Sequence, residues 1–189
     1  LNDQNRSQDD PMLLRCMTEL SKIYLDSDKV LQAESLARNT YERSRLSYGT
    51  NHPKSLKRGQ VLVECLRKLG RLDDAQNLSN RIVSNLQFIL GQSHPDTLGA
   101  MDSLANIAAA RNDLNLALEQ YLEILKLKEL ALGSMHPETL NTLHATAGIY
   151  RRLDMLEEAK KAQYMVYQRL QEKYGHEQPE TLRSMNELA

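Results

Sequence analysis

Apolar side chains recur along this chain in two alternating patterns, each with the spacing of a single helix face. Counting from Pro95 as position zero, they fall at +3, +6, +9, +10 and +13, as Leu98, Met101, Leu104, Ala105 and Ala108, the three-and-four spacing of an amphipathic helix. A second stripe occupies +19, +22, +29 and +30, as Leu114, Ala117, Ile124 and Leu125. The pattern predicts a first helix opening on the proline, which suits a position whose missing N–H has no intrahelical partner. It predicts a second helix of about twenty residues ending at the +38 glycine, Gly133, the residue type expected just past a helix C-terminus. Between the helices, +17 is Asp28, Gly70, Asn112 or Asp154, types that tolerate a left-handed turn and cap a following helix. So short a loop makes the two helices antiparallel neighbours.

The pattern is periodic. The five prolines, Pro11, Pro53, Pro95, Pro137 and Pro179, stand 42 residues apart. Leucine follows each at +3, alanine stands at +22 in every complete unit (Ala33, Ala75, Ala117, Ala159), and glycine at +38 (Gly49, Gly91, Gly133, Gly175). A fixed period of this length is the signature of stacked repeats, each packing only on its neighbours. The chain divides into a polar lead-in (1–10), four complete repeats (11–52, 53–94, 95–136, 137–178) and the first helix of a partial fifth (179–189). The expected fold is all-α, a right-handed solenoid of antiparallel helix pairs. The histidine before three of the prolines (His52, His94, His136) is pushed out of helical geometry and marks a joint between units. Repeat two departs from its siblings at Gly59, where they carry Met17, Met101 and Leu143, which predicts local looseness there.

These residues carry a family resemblance. Small residues at +10 and +22, the aromatics Tyr24 and Tyr150 at +13, and Tyr121 at +26 resemble the tetratricopeptide repeat. The 42-residue length and the joint "LGSMHPETL" resemble the long-helix form found in kinesin light chains and in many NTPase-coupled sensor proteins. A HEAT-like array has an overlapping period, but the small residues at +10 and +22 favour the tetratricopeptide form. The resemblance implies a protein-interaction module whose first helices line a concave groove.

Composition narrows the function. Twenty-four basic and 25 acidic residues give a net charge of −1 and a pI near 6.6, unlike a generic nucleic-acid binder. No apolar run is long enough to cross a bilayer and no signal-peptide pattern opens the chain, so it reads as a cytoplasmic protein without a membrane partner. Cys65 aligns with Ile23, Ile107 and Ile149 and reads as a core residue in a reducing compartment; no disulfide with Cys16 is expected. The glycosylation sequons at Asn5 and Asn77 carry little meaning without a secretory signal. The chain opens without methionine and stops within a helix, so it reads as a fragment of a longer protein.

Catalysis and cofactors find no support. His52, His94 and His136 recur one per unit, whereas one zinc needs its ligands within about 2.3 Å. His136 and His144 stand roughly 12 Å apart along a helix. Ser93 and His94 are adjacent, yet no third group orients them as a triad requires. No phosphate-binding glycine loop or dinucleotide fingerprint occurs, and the +6 methionines follow core spacing.

The informative stripe is the one the resemblance assigns to the groove, at +4, +7, +11, +14 and +15. Its candidate partner-binding residues are Arg15, Lys22, Lys57, Arg67 and Lys68, then Asp102, Asn106, Ala109 and Ala110, then Asn141, His144, Arg151 and Arg152, and finally Arg183 and Asn186. The stripe holds eight basic residues against three acidic ones, Asp26, Glu64 and Asp102, so positive charge concentrates there on a near-neutral chain. Repeat three supplies small residues, Ala109 and Ala110, as room for an apolar anchor. This profile suits an extended acidic peptide with one bulky apolar side chain, its carboxylates meeting arginine forks.

Kinesin light chains hold cargo peptides of that kind, but their helix motif "LNNLA" is here "MDSLA" at 101–105 and "LHATA" at 143–147, and only Asn186 keeps an asparagine at +7. The two-carboxylate clamp of chaperone-binding relatives needs lysine at +7 and asparagine at +11, where this chain has Thr18, Gln60, Lys22 and Glu64. A second reading is a sensor or self-assembly domain of a larger NTPase-type switch protein, recognising a folded partner or another copy of itself. Single-strand nucleic-acid binding would require interleaved aromatics, and the stripe has none.

Overall fold

A computed structural model describes residues 10–176 and 178–186. Residues 1–9 of the lead-in, with the Asn5 sequon, lie outside the described residues. All secondary structure among the described residues is helical: α1 (Pro11–Asp26), α2 (Val30–Tyr48), α3 (Pro53–Lys68), α4 (Leu72–Leu90), α5 (Pro95–Ala110), α6 (Leu114–Leu132), α7 (Pro137–Arg152), α8 (Leu156–Tyr174) and α9 (Pro179–Asn186). The chain separates after Gln92 into two compact units. In the first, α1 to α4 pack in sequence and α1 also meets α3; in the second, α5 to α9 pack in sequence.

Each odd-numbered helix from α1 to α7 starts at a proline and ends in the same way. Past the last turn of α5, Asn112 N–H donates to Ala109 O (3.1 Å) and Asp113 N–H to Ala108 O (3.0 Å), absorbing carbonyls that the helix end leaves open. The closure needs a left-handed residue at +17, which is Asp28 (φ 57°), Gly70 (φ 72°), Asn112 (φ 65°) or Asp154 (φ 61°). The expectation that this residue also caps the next helix is corrected. The cap falls one position later, on Lys29, Arg71, Asp113 and Met155, and none of these makes a side-chain cap hydrogen bond.

The second helix of each complete unit stops at the +38 glycine. Gly133, at φ 92° and ψ 158°, lies beyond the left-handed helical region, in backbone space that is essentially reserved for glycine. The joint histidines are extended and work as N-caps: Nδ1 of His52, His94 and His136 accepts from Lys54, Asp96 and Glu138 N–H at 3.1, 3.1 and 3.2 Å. Asp10 Oδ1 does the same for α1, accepting from Met12 N–H at 2.9 Å.

The core follows the predicted stripes. In the first unit Leu14, Ala33, Tyr41, Leu56, Cys65, Ala75 and Ile82 are buried. In the second, Ala105, Ala108, Ala117, Tyr121, Ile124 and Ile149 form one cluster, and Leu143, Ala147, Ala162 and Val166 another. Burial pushes the Cys65 thiol up to about 12, which keeps it protonated and inert. Its aligned counterpart Ile23 is instead 56 % exposed, since no described helix covers that face of α1.

Gly59 corrects the expectation of looseness. It is buried, and a Cβ there would lie 2.9 Å from Ile82 Cδ1 and 3.0 Å from Tyr41 Cε2. The missing side chain is replaced by the Tyr41 ring, so the site is closely packed.

Candidate functional site

In the first unit, α1 and α3 line a cleft of about 1040 Å³. Three of the expected groove cations, Arg15, Lys22 and Lys57, stand on its walls with Thr18, Leu25, Gln60 and Glu64. Arg15 makes no hydrogen bond or ion pair among the described residues. Lys22 pairs at 3.0 Å with Glu19 on the exposed face of its own helix, an interaction of small energetic weight. The other two expected cations of this unit serve the scaffold. Arg67 forks onto Glu64 (Nε–Oε2 2.8 Å, Nη2–Oε1 2.6 Å), and Lys68 Nζ donates to Leu25 O (3.1 Å) at the end of α1.

Sequence reasoning missed a further part of this cleft. Tyr48, at the end of α2, lines it together with Lys54 and Arg58 of α3. Lys54 Nζ lies 5.3 Å and Arg58 Cζ 5.6 Å from the Tyr48 ring centroid, and His52 stacks on the ring at 5.2 Å. Arg58 Nη1 donates to Ser44 Oγ (3.1 Å) and Lys54 O (3.1 Å), while its Nε and the Tyr48 hydroxyl are buried without a partner. Five basic side chains on the walls (Arg15, Lys22, Lys54, Lys57, Arg58) thus face three acidic ones (Asp10, Glu19, Glu64), with Met12, Leu25 and Val61 as apolar surface. The missed signal was basic residues at +1 and +5 in repeat two alone, positions outside the stripe taken for the groove.

In the second unit several expected groove residues turn inward. Asp102 hydrogen bonds to Lys128 Nζ, and its Oδ1 accepts from Thr142 Oγ1 at 3.0 Å. Lys128, 1 % exposed, also donates to Thr142 Oγ1 (2.9 Å) and Glu138 O (3.2 Å), with the Glu138 carboxylate 3.5 Å away. Burial lifts the Asp102 carboxyl above its ordinary value, against the lowering effect of Lys128. Lys128 could have been noticed, because its position holds Leu86 and Leu170 in the neighbouring repeats.

Ala109 is 8 % exposed and belongs to the core cluster, so its methyl group is packing and leaves no open space for an anchor. Its carbonyl accepts from Arg152 Nη2 (2.9 Å), which also donates to Asn112 Oδ1 (3.0 Å). Arg152 therefore ties α7 to the end of α5, as Lys68 ties α3 to the end of α1. Asn106 Oδ1 accepts from the Tyr121 hydroxyl (2.7 Å), and His144 Nδ1 is hydrogen bonded to Gln163 Oε1 (3.2 Å). Ala110, Asn141, Arg151, Arg183 and Asn186 are exposed. No group of histidines, cysteines and carboxylates among the described residues has the arrangement of a metal site, and no described helix is long and apolar enough to cross a membrane.

Helical hairpins repeated every 42 residues, with an open cleft between first helices, define a repeat scaffold for protein interaction. Tetratricopeptide-repeat models match residues 13–54 and 59–130, and the chain belongs to the tetratricopeptide-repeat family. Its fold is similar to the nearly identical tetratricopeptide-like repeats of a Podosopora anserina protein described as a kinesin light chain: TM-score 0.78 at 24 % identity, over 94 % of this chain and 84 % of that one. It is also similar to BtubC (BKLC) from P. vanneervenii, with a TM-score of 0.78 at 16 % identity over 98 % of this chain and 75 % of that one. No curated protein matches the chain significantly in sequence.

Proposed function

We propose that this chain is a non-enzymatic adaptor of the cytoplasm that holds an extended acidic segment of a partner protein in the α1–α3 cleft. The observation that carries the reading is the cleft wall itself, five basic side chains against three acidic ones on a chain of net charge −1. Fixed cations around a concave cleft attract carboxylates at long range and hold them in charge-assisted hydrogen bonds. The apolar anchor expected of such a partner belongs in this cleft, where Met12 is 62 % exposed beside Leu25 and Val61. The likeness in fold to kinesin-light-chain repeats supports a cargo-holding role.

A peptide array or pull-down comparing the wild-type chain with Arg15→Glu/Lys57→Glu tests the reading. The double reversal should weaken capture of acidic peptides at least tenfold and blunt its dependence on salt, leaving the helical fold intact because exposed charges contribute little to stability. Capture that is unchanged by the reversal and indifferent to salt would place the working surface elsewhere.

A further inference from the structure

The joint between α2 and α3 and the joint between α6 and α7 are built on one plan with their polar groups exchanged. In the second unit Lys128 donates to Glu138 O (3.2 Å) and to the Thr142 hydroxyl (2.9 Å). Two repeats earlier those three positions are Ser44, Lys54 and Arg58. There Arg58 Nη1 donates to Lys54 O (3.1 Å) and to the Ser44 hydroxyl (3.1 Å). The same backbone carbonyl receives the cation in both joints, while cation and hydroxyl have changed helices.

The carboxylates have no such counterpart. Asp102, which closes the network on Lys128, corresponds to Thr18, and Glu138 corresponds to Lys54. Neither Arg58 nor Lys54 pairs with a carboxylate among the described residues, and Arg58 Nε has no partner. Thr18, Lys54 and Arg58 all line the cleft. The guanidinium is held in place by Ser44, by a backbone carbonyl and by the Tyr48 ring, so little freedom is lost when an anion arrives.

Building on the acidic-partner reading above, we propose that the corner formed by Thr18, Lys54 and Arg58 is a carboxylate subsite. An acidic side chain of the bound partner fills the place that Asp102 fills from within the second unit. The second unit thus carries its counter-ion internally, and the first takes it from the ligand.

Fluorescein-labelled hexaglutamate, followed by anisotropy at low salt with the full chain, provides the test, with hexaglutamine as the neutral control. Thr18→Asp supplies the internal carboxylate and should weaken hexaglutamate binding tenfold or more. Arg58→Gln removes the fork and should do the same. Gln60→Glu adds an equal charge to the wall of the same cleft at a residue that is not one of the three, and should cost distinctly less. Circular dichroism confirms that each variant is folded, and Thr18→Asp decides the matter if Arg58→Gln is not. Thr18→Asp costing no more than Gln60→Glu would overturn the subsite while leaving salt-sensitive hexaglutamate binding, and with it the acidic-partner reading, in place. Wild-type chain binding hexaglutamate no better than hexaglutamine would overturn both.

Discussion

Three positions close the α2–α3 joint and the same three close the α6–α7 joint, with volume distributed in opposite ways. In the first unit they are Tyr41, Gly59 and Ile82, with the aromatic ring seated over the glycine. In the second they are Leu125, Leu143 and Val166, three aliphatic side chains in one cluster. The polar groups are exchanged as well: Arg58 and Ser44 in one joint, Lys128 and Thr142 with Asp102 in the other. A joint is therefore specified by its summed volume and by a cation on one backbone carbonyl, more than by the residue at any single position. Dense interiors require only that the total space be filled in good rotamers.

The sharpest way to break this comparison is to unbalance the second joint. Asp102→Ala leaves Lys128, 1 % exposed, facing only the half-exposed Glu138 carboxylate, and should cost about 3–5 kcal/mol, the usual penalty for stranding a buried charge. Lys128→Leu restores the residue type that the neighbouring repeats carry, but strands Asp102. The double variant Asp102→Ala/Lys128→Leu should lose less than the two single losses combined, which a double-mutant cycle in urea measures. Additive losses would mean that the pair does not act as a unit. The pH dependence carries a sign of its own. Burial raises the Asp102 carboxyl above its ordinary value of 3.8, so the folded state holds that proton more tightly than the unfolded chain. Its contribution to stability is complete below 3.8 and is lost as pH rises through the raised value. Lys128→Leu should move that loss to higher pH.

A smaller effect tests the exchange of volume directly. Gly59→Leu installs the residue that Leu143 provides in the second unit, yet its Cβ meets Ile82 Cδ1 at 2.9 Å and Tyr41 Cε2 at 3.0 Å. Overpacking of this kind costs about 1–3 kcal/mol. Adding Tyr41→Leu should recover most of it, because the first joint then carries the leucine pair of the second. A shift in urea midpoint to higher stability for Gly59→Leu alone would show that the ring moves aside freely.

Much of this was legible in the sequence, and the boundary between what was and what was not is physical. The helices, their left-handed turns and their glycine stops follow from local chemistry that repeats every 42 residues, so each unit checks the others. Groove-facing identity could be read only as a stripe. Whether Arg152 faces solvent or spans to Ala109 O depends on the distance between helices that lie 43 residues apart, which no local pattern encodes. Gly59 was misread for the same reason: its partner is the Tyr41 ring on another helix. Tyr48, Lys54 and Arg58 went unseen because the cleft extends past the stripe to the end of α2.

The smallest predicted effect sharpens the comparison by asking what the two joints share. His52 caps α3 and His136 caps α7 through Nδ1, at 3.1 and 3.2 Å from the N–H two residues on, and neither cap depends on the volumes or charges that differ between the joints. His52→Ala and His136→Ala should therefore each cost about 1 kcal/mol, the ordinary value of a lost N-cap. Aspartate should replace the histidine at both sites with little loss, since Asp10 Oδ1 caps α1 in the same way, at 2.9 Å from Met12 N–H. Urea unfolding of the four variants measures this. A loss several-fold larger at one joint would tie that histidine to the packing around it, the Tyr48 ring in the case of His52, and the cap would then be part of what distinguishes the joints.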